Sequence, residues 1–294
     1  MEQLLQQLVN GLSLGSIFAL IALGYTMVYG ILQLINFAHG DIYMVGAFVG
    51  YFSMSFFGLG FFESLIIAMV ACALLGVVIE RVAYRPLRGS SRITLLITAI
   101  GVSLILEYVM MYFVGAGVRA YPPLPAFLAG SFNLGGAVIK NMQLLIIGVS
   151  VLLMVLLQFI VKRTKIGKAM RAVSQDMEAA QLMGISVDNT ISFTFALGSA
   201  LAGAAGVLVG AYYNSINPLM GLMPGLKSFV AAVFGGIGII PGAMIGAYLI
   251  GLIETAVADR GFSMYRDAVV FAVLIGILIV KPTGLLGKNI KEKV

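Results

Sequence analysis

The sequence predicts an all-α, polytopic integral membrane bundle of about eight transmembrane helices, within a range of eight to ten, some of them broken or re-entrant. Three observations carry this. Of 294 residues, 61% are hydrophobic and 10% charged, where a soluble domain has roughly 45–50% and roughly 25%. The apolar residues gather in runs long enough to cross about 30 Å of hydrocarbon, which takes about 20 helical residues. No ten-residue alternation of barrel strands is present, and backbone groups in lipid must then bond within helices. A mean hydropathy of +1.06 excludes disorder. The single cysteine, Cys72, excludes a disulfide framework and a thiolate cluster.

Eight runs follow in order: Leu8–Tyr29, Ile31–Phe57, Ser64–Val82, Ile93–Val114, Gln143–Val161, Ile191–Ala211, Ser228–Ile253 and Phe262–Val280. They form one domain, residues 1–294. Met1–Val9 carries Glu2 as its one charge and lacks the basic start of a secretory signal, so the first run is expected to stay in the protein.

Two runs are interrupted. The second contains Asn36-Phe37-Ala38-His39-Gly40-Asp41, and the seventh contains Gly235-Gly236-Ile237-Gly238-Ile239-Ile240-Pro241-Gly242, which breaks a helical ladder. The seventh is either a re-entrant pair or, taken from Met220 to Ala258 as about 58 Å of helix, two thin full spans. One interruption in each half suggests an internal repeat with broken helices beside a transport path. A short turn outside the membrane is the plainer reading of Asn36–Asp41. Glycines four apart, at 11 and 15, 46 and 50, 206 and 210, and 242 and 246, predict close helix packing.

The net charge of +6 decides sidedness through its placement. Thirteen of the eighteen basic residues fall in three groups: Arg81, Arg85, Arg88 and Arg92; Lys162, Arg163, Lys165, Lys168 and Arg171; and Lys281, Lys288, Lys291 and Lys293. Each group follows an apolar run, the signature of short cytoplasmic loops and not of a face that tracks phosphates, so nucleic acid is excluded as a partner. With these groups inside, Gly115–Asn141 lies outside, and its stiff Tyr121-Pro122-Pro123-Leu124-Pro125 stretch is either a docking loop or an ordinary loop. Three runs between Arg171 and Lys281 would leave the basic tail on the wrong side, so one of them crosses twice or not at all.

Enzyme chemistry finds no support. His39 is the only histidine, no Cys/His set has metal spacing, and no Gly-rich loop ends in Gly-Lys-Ser or Gly-Lys-Thr. No catalytic residue, metal or cofactor is expected. Ionisable or helix-breaking residues at membrane depth mark a candidate path: Asn36, His39, Asp41, Glu107, Gly235, Gly236 and Pro241. Glu63, Glu80 and Arg81, near run ends, are expected to snorkel.

The loop at residues 162–190 predicts a short amphipathic helix. Met170, Val173, Met177 and Ala180 form one stripe, Arg171, Gln175, Asp176 and Glu178 supply polar surface, and Gly184 stops it. Asp188 is placed to cap the next membrane helix. Ala179, Ala180 and Gly184 permit close approach, and Asp176 and Glu178 would be repelled by anionic lipid, so the helix suits a groove on a soluble partner better than the membrane surface.

Glu178-Ala179-Ala180, three residues, then Gly184 resembles the coupling loop of ABC importer permeases. Together with Asn36–Gly40, Arg171-Ala172-Val173 and the Gly235–Gly242 turn, nearly the whole chain resembles the Liv-type permeases of branched-chain amino acid importers. The resemblance implies a bacterial inner-membrane subunit working with a second permease as a heterodimer, two cytoplasmic ABC ATPases and an extracytoplasmic substrate-binding protein. It places Glu178, Ala179, Ala180 and Gly184 on the ATPase-coupling motif, with Arg171 and Asp176 in the helix leading into it. Two other functions stay open. An ion-coupled carrier needs several buried carboxylates, for which Asp41 and Glu107 stand out. A urea or amide channel of the aquaporin kind needs two Asn-Pro-Ala turns, and the sequence offers only Asn217-Pro218.

Overall fold

The computed structural model describes residues 2–33 and 35–287; Lys288, Lys291 and Lys293 of the third basic group lie outside them. Nine helices of 14 or more residues, among the described residues, form a bundle with two ends. One end carries the basic groups and is the cytoplasmic one by the positive-inside rule.

Helix α1 (Glu2–Leu32) runs from the outer end to the basic end and is buried on every side from Gly15 to Val28. Residues 35–38 lead back into the bundle without helix, and α2 (His39–Ser55) completes the outward crossing. The run Ile31–Phe57 is thus a turn, an unwound leg and a helix. Helix α3 (Phe61–Ile79) returns, its Glu63 accepting a bond from the Gly60 N–H at 2.6 Å. Glu63 thus caps the exposed end of the helix. At the basic end α3 continues through a π turn, Glu80–Tyr84, and a 3₁₀ turn, Arg85–Leu87.

Helix α4 (Arg92–Val114) crosses outward with most of its surface exposed, as lipid-facing or partner-facing helices do. The outer segment is folded: β1 (Arg119–Ala120), a turn of helix α5 (Ala126–Ala129), and the hairpin β2 (Ser131–Leu134) with β3 (Ala137–Lys140). Helix α6 (Asn141–Arg163) leads back to the basic end, where α7 (Lys165–Gln175) and α8 (Met177–Leu182) lie. Helix α9 (Val187–Tyr213) crosses outward through the core and ends in β4 (Ser215–Ile216), antiparallel to β1.

The last third resolves the parity problem. Ser228–Ile253 belongs to two helices, α10 (Leu222–Gly235) inward and α11 (Ile240–Val257) outward, joined by the Gly236–Ile239 turn at the basic end. The stretch thus crosses twice, but only α11 does so as a helix of span-like length; α10, with 14 residues, is completed by the non-helical leg before it. A turn at residues 258–265, with Gly261 at φ 86°, precedes α12 (Arg266–Val280), which returns inward. Phe262 to Tyr265 thus lie in that turn, outside the predicted eighth helix.

The glycine grooves are used. Helix α1 packs on α11, α9 and α10, and α9 packs on α3 and α2. At the α2–α9 crossing a Cβ on Gly46 would strike the Gly203 backbone, and one on Gly206 the Tyr43 carbonyl. With no hydrophobic drive between helices in lipid, such close backbone approach supplies the attraction.

Candidate functional site

Helices α2 and α10 have 17 and 14 residues, about 25 and 21 Å at 1.5 Å per residue. Neither spans the hydrocarbon alone, so each is completed by a non-helical leg. The leg before α2 rises from the basic end; the leg before α10 descends from the outer end. Each contains Asn-x-x-x-Gly, Asn36 to Gly40 and Asn217 to Gly221. Each turns the same way, His39 N–H donating to Asn36 O and Met220 N–H to Asn217 O, both at 3.1 Å. The two glycines meet at the centre. The inverted counterpart of Asn36–Asp41 is therefore Asn217–Gly221, not the Gly235–Gly242 turn expected from sequence, and Asn36–Asp41 is buried inside the bundle, not an extramembrane turn.

Asp41 is buried where the N-terminal ends of both half-helices converge. Ser103 of α4 donates to it at 2.5 Å, and the largely buried Glu107 lies one turn further along α4. His39 is buried edge-on to Tyr25, with ring centroids 4.8 Å apart, and Phe229 meets the other side of Tyr25 at 6.0 Å. Tyr84, turned inward by the π turn, donates to Asn36 at 2.7 Å. Asn36, His39, Asp41 and Glu107 thus gather around the two helix breaks. Gly235, Gly236 and Pro241 do not: they lie in the basic-end turn, where Leu285 N–H and Leu286 N–H cap the Phe234 and Gly235 carbonyls at 2.9 and 3.0 Å.

Two features escaped the sequence reading. Glu80 is fully buried and does not snorkel: it accepts from Arg88 at 2.5 Å and from Ser192 at 2.6 Å, while Arg81 points outward. Arg88 also reaches Asp188 at 2.7 Å, and Arg85 pairs with the same carboxylate. Asp188 is therefore an ion-pair partner, and Ser186 occupies the cap position of α9. Inside the bundle, the buried Lys227 of α10 bonds Glu254 of α11 at 2.8 Å and lies 2.6 Å from the Asp267 carboxylate of α12. Asp41 and Glu107 are thus not the only buried carboxylates, but Glu80 and Glu254 each have a cation. A Lys and a Glu immediately flanking the seventh apolar run, at positions 227 and 254, were the available signal.

At the basic end the predicted helix is two. Asp176, at φ −156° and ψ 113°, ends α7 and caps α8, accepting from the Ala179 N–H at 2.9 Å. The predicted stripe survives the break, with Met170, Val173 and Ala180 buried. Arg171 bonds the Val161 carbonyl at the end of α6, so it anchors the element to the bundle. Gly184, at φ 80°, reverses the chain as Ile185 N–H bonds Ala180 O at 3.0 Å. Glu178 and Ala179 face solvent, and beside them Leu182 and Met183, which the sequence reading did not single out, are 88% and 82% exposed. Outside, Tyr121 is buried, and burial raises its hydroxyl pKa well above the usual tyrosine range. That loop is packed down, with Tyr121 N–H bonded to Asn214 O at 3.2 Å.

Residues 7–278 match the family described as the permease component of branched-chain amino acid transport systems. The chain belongs to that family. The permease is 45% identical to the high-affinity branched-chain amino acid transport permease BraD of Pseudomonas aeruginosa, covering 99% of this chain and 98% of the relative. It is 43% identical to LivH of Escherichia coli, over 99% and 97%. A probable LivH of Methanocaldococcus jannaschii is 30% identical, over 94% and 90%. A metal-chelate type ABC transporter in an inward-facing conformation shares the fold at a TM-score of 0.51 and 18% identity, over 94% of this chain and 85% of that one. The permease is accordingly a multi-pass inner-membrane transport subunit, and the hydrolysis of ATP belongs to its ATP-binding-cassette partners.

Proposed function

We propose that this permease pairs with a second, different permease and carries leucine, isoleucine and valine inward, driven by two cytoplasmic ATPases and fed by an extracytoplasmic binding protein. The substrate class is that of BraD and LivH. The α7–α8 element is the lever. The observation that carries this is the pairing of a free apolar tip, Leu182 and Met183, with an underside fixed by Met170, Val173 and Ala180. A partner gripping the tip pulls on a rigid piece.

Two contacts supply a route from lever to path. Movement of α8 acts through Gly184 on the start of α9, whose Asp188 holds Arg88 and, through it, Glu80. The π turn that carries Glu80 also carries Tyr84, which holds Asn36 in the leg of α2. Such a chain of charge-assisted and buried bonds transmits a displacement only if both ends share one two-state element, here the broken-helix pair.

Purification of the solubilised protein from its native membrane tests the assembly. Recovery of a second permease and two P-loop ATPases is expected. A homotrimer or homotetramer, with solute flux indifferent to ATP depletion, would show a channel instead. Glu178→Arg is expected to abolish ATP-dependent leucine uptake while leaving thermal melting unchanged; unaltered uptake would remove the lever from the mechanism.

A further inference from the structure

A cavity of about 340 Å³ opens in the outer half of the bundle between α1, α9, α10, α11 and α12. That volume falls at the lower end of the roughly 300–1,000 Å³ of small-molecule pockets, the size for a ligand of amino-acid dimensions. Its lining includes the apolar side chains of Ile17, Phe18, Val209 and Met223. It also includes four charged side chains, Lys227, Glu254, Arg266 and Asp267.

Their bonding is incomplete in an informative way. Lys227 is engaged by Glu254 Oε1 and by Asp267. Glu254 is 4% exposed, and its second oxygen, Oε2, is buried with no hydrogen-bond donor, as is Asp267 Oδ1, which faces Lys227 as an ion pair at 2.6 Å. A buried carboxylate oxygen left bare is costly, so the site favours a ligand that brings an N–H. Arg266 stands at the rim, half exposed, its guanidinium 4.0 Å from Glu254, which leaves most of its five donors free for an anion. The cluster is neutral overall, with two cations and two anions, so a neutral ligand with separated charges enters without leaving excess charge behind.

We propose that this cavity is an intramembrane binding site for an aliphatic α-amino acid zwitterion. Its ammonium donates to Glu254 Oε2, its carboxylate accepts from Arg266, and its side chain lies on Ile17, Phe18, Val209 and Met223. The inference rests on the reading of the chain as an amino-acid permease, and it adds a selecting station inside the membrane subunit itself.

The test uses the purified importer assembly in nanodiscs without its binding protein, with tritiated L-leucine as probe. Saturable binding is expected. Leucinamide, which lacks the carboxylate, and 4-methylpentanoate, which lacks the ammonium, should each compete at least tenfold worse than L-isoleucine. Met223→Trp and Val209→Trp fill the cavity and leave every charge in place; each should lower binding at least tenfold, as should Glu254→Gln. The competition arm needs no variant, so it decides even if a substitution unfolds the bundle. Absence of saturable binding, equal competition by either analogue, or unchanged binding in both Trp variants would overturn the site. ATP-driven leucine uptake after the binding protein is added back reports separately on the transport reading: uptake without cavity binding sinks this proposal alone, and loss of both sinks the substrate assignment.

Discussion

Gly40, in the first turn of α2, and Gly221, just before α10, face each other so closely that a Cβ on either would lie 2.5 Å from the other's carbonyl oxygen. The two unwound legs therefore meet backbone to backbone, and no side chain larger than hydrogen fits between them. Gly40→Ala and Gly221→Ala are each expected to cost about 1–3 kcal/mol through overpacking. Gly148→Ala in α6, where a Cβ meets open space, should be neutral or slightly stabilising, since alanine is the better helix former. Thermal melting of the three variants in one detergent checks this, and equal melting of all three would mean that the legs yield freely.

Asp176 predicts a separation of two substitutions. Its side chain caps α8 through the Ala179 N–H, and asparagine caps about as well whereas alanine does not. Asp176→Ala should therefore destabilise α8 by about 0.5–2 kcal/mol and reduce ATP-driven uptake severalfold. Asp176→Asn should keep most of it. Amide exchange at residues 177–182 reports the cap directly; faster exchange in both variants would show that charge, and not capping, is what the position supplies.

The reach of the sequence can be judged from particular residues. Runs such as Ile93–Val114 and Gln143–Val161 become α4 and α6 nearly unchanged, because length and hydropathy are properties of a segment by itself. The stripe of Met170, Val173 and Ala180 was legible for the same reason. Relations between segments were not. Lys227 and Glu254 lie 27 residues apart, and nothing joins them until the Gly236–Ile239 turn reverses the chain. Asn217–Gly221 is recognisable as the partner of Asn36–Gly40 only when the two are placed head to head. Glu80 looks like a run-end charge until a π turn rotates it inward, and where a single extra residue enters a helix is a tertiary decision.

That rotation sets up an unequal pair of predictions. Arg88 is the cation paired with a fully buried Glu80, whereas Arg85 is half exposed and serves only Asp188. Removing one partner of a buried pair costs about 3–5 kcal/mol, and a solvent-exposed pair contributes about 0–1 kcal/mol. Arg88→Ala should therefore melt far below Arg85→Ala. The difference should narrow when Glu80→Gln is combined with Arg88→Ala, because the uncompensated charge is then gone. A double-mutant cycle with no coupling between positions 80 and 88 would contradict the buried pairing.

Leu182 and Met183 present the sharpest division between stability and assembly. Both are almost wholly exposed, on a helix of six residues whose other face is buried through Ala180, so neither holds the bundle together. Exposed apolar side chains standing together at a helix end favour burial by a partner at about 25 cal/mol per Å² of apolar surface removed from water. Replacing each by aspartate, in Leu182→Asp and Met183→Asp, puts a charge where the partner's groove would close. Melting should change by less than about 0.5 kcal/mol, the usual range for surface positions, while the amount of ATPase recovered with the permease should fall at least tenfold. The fall should be steeper for the double substitution than for either alone, since both side chains would occupy one groove. Full recovery of ATPase with the double variant would move the contact to another part of the basic end and leave α8 as a surface turn without a mechanical role.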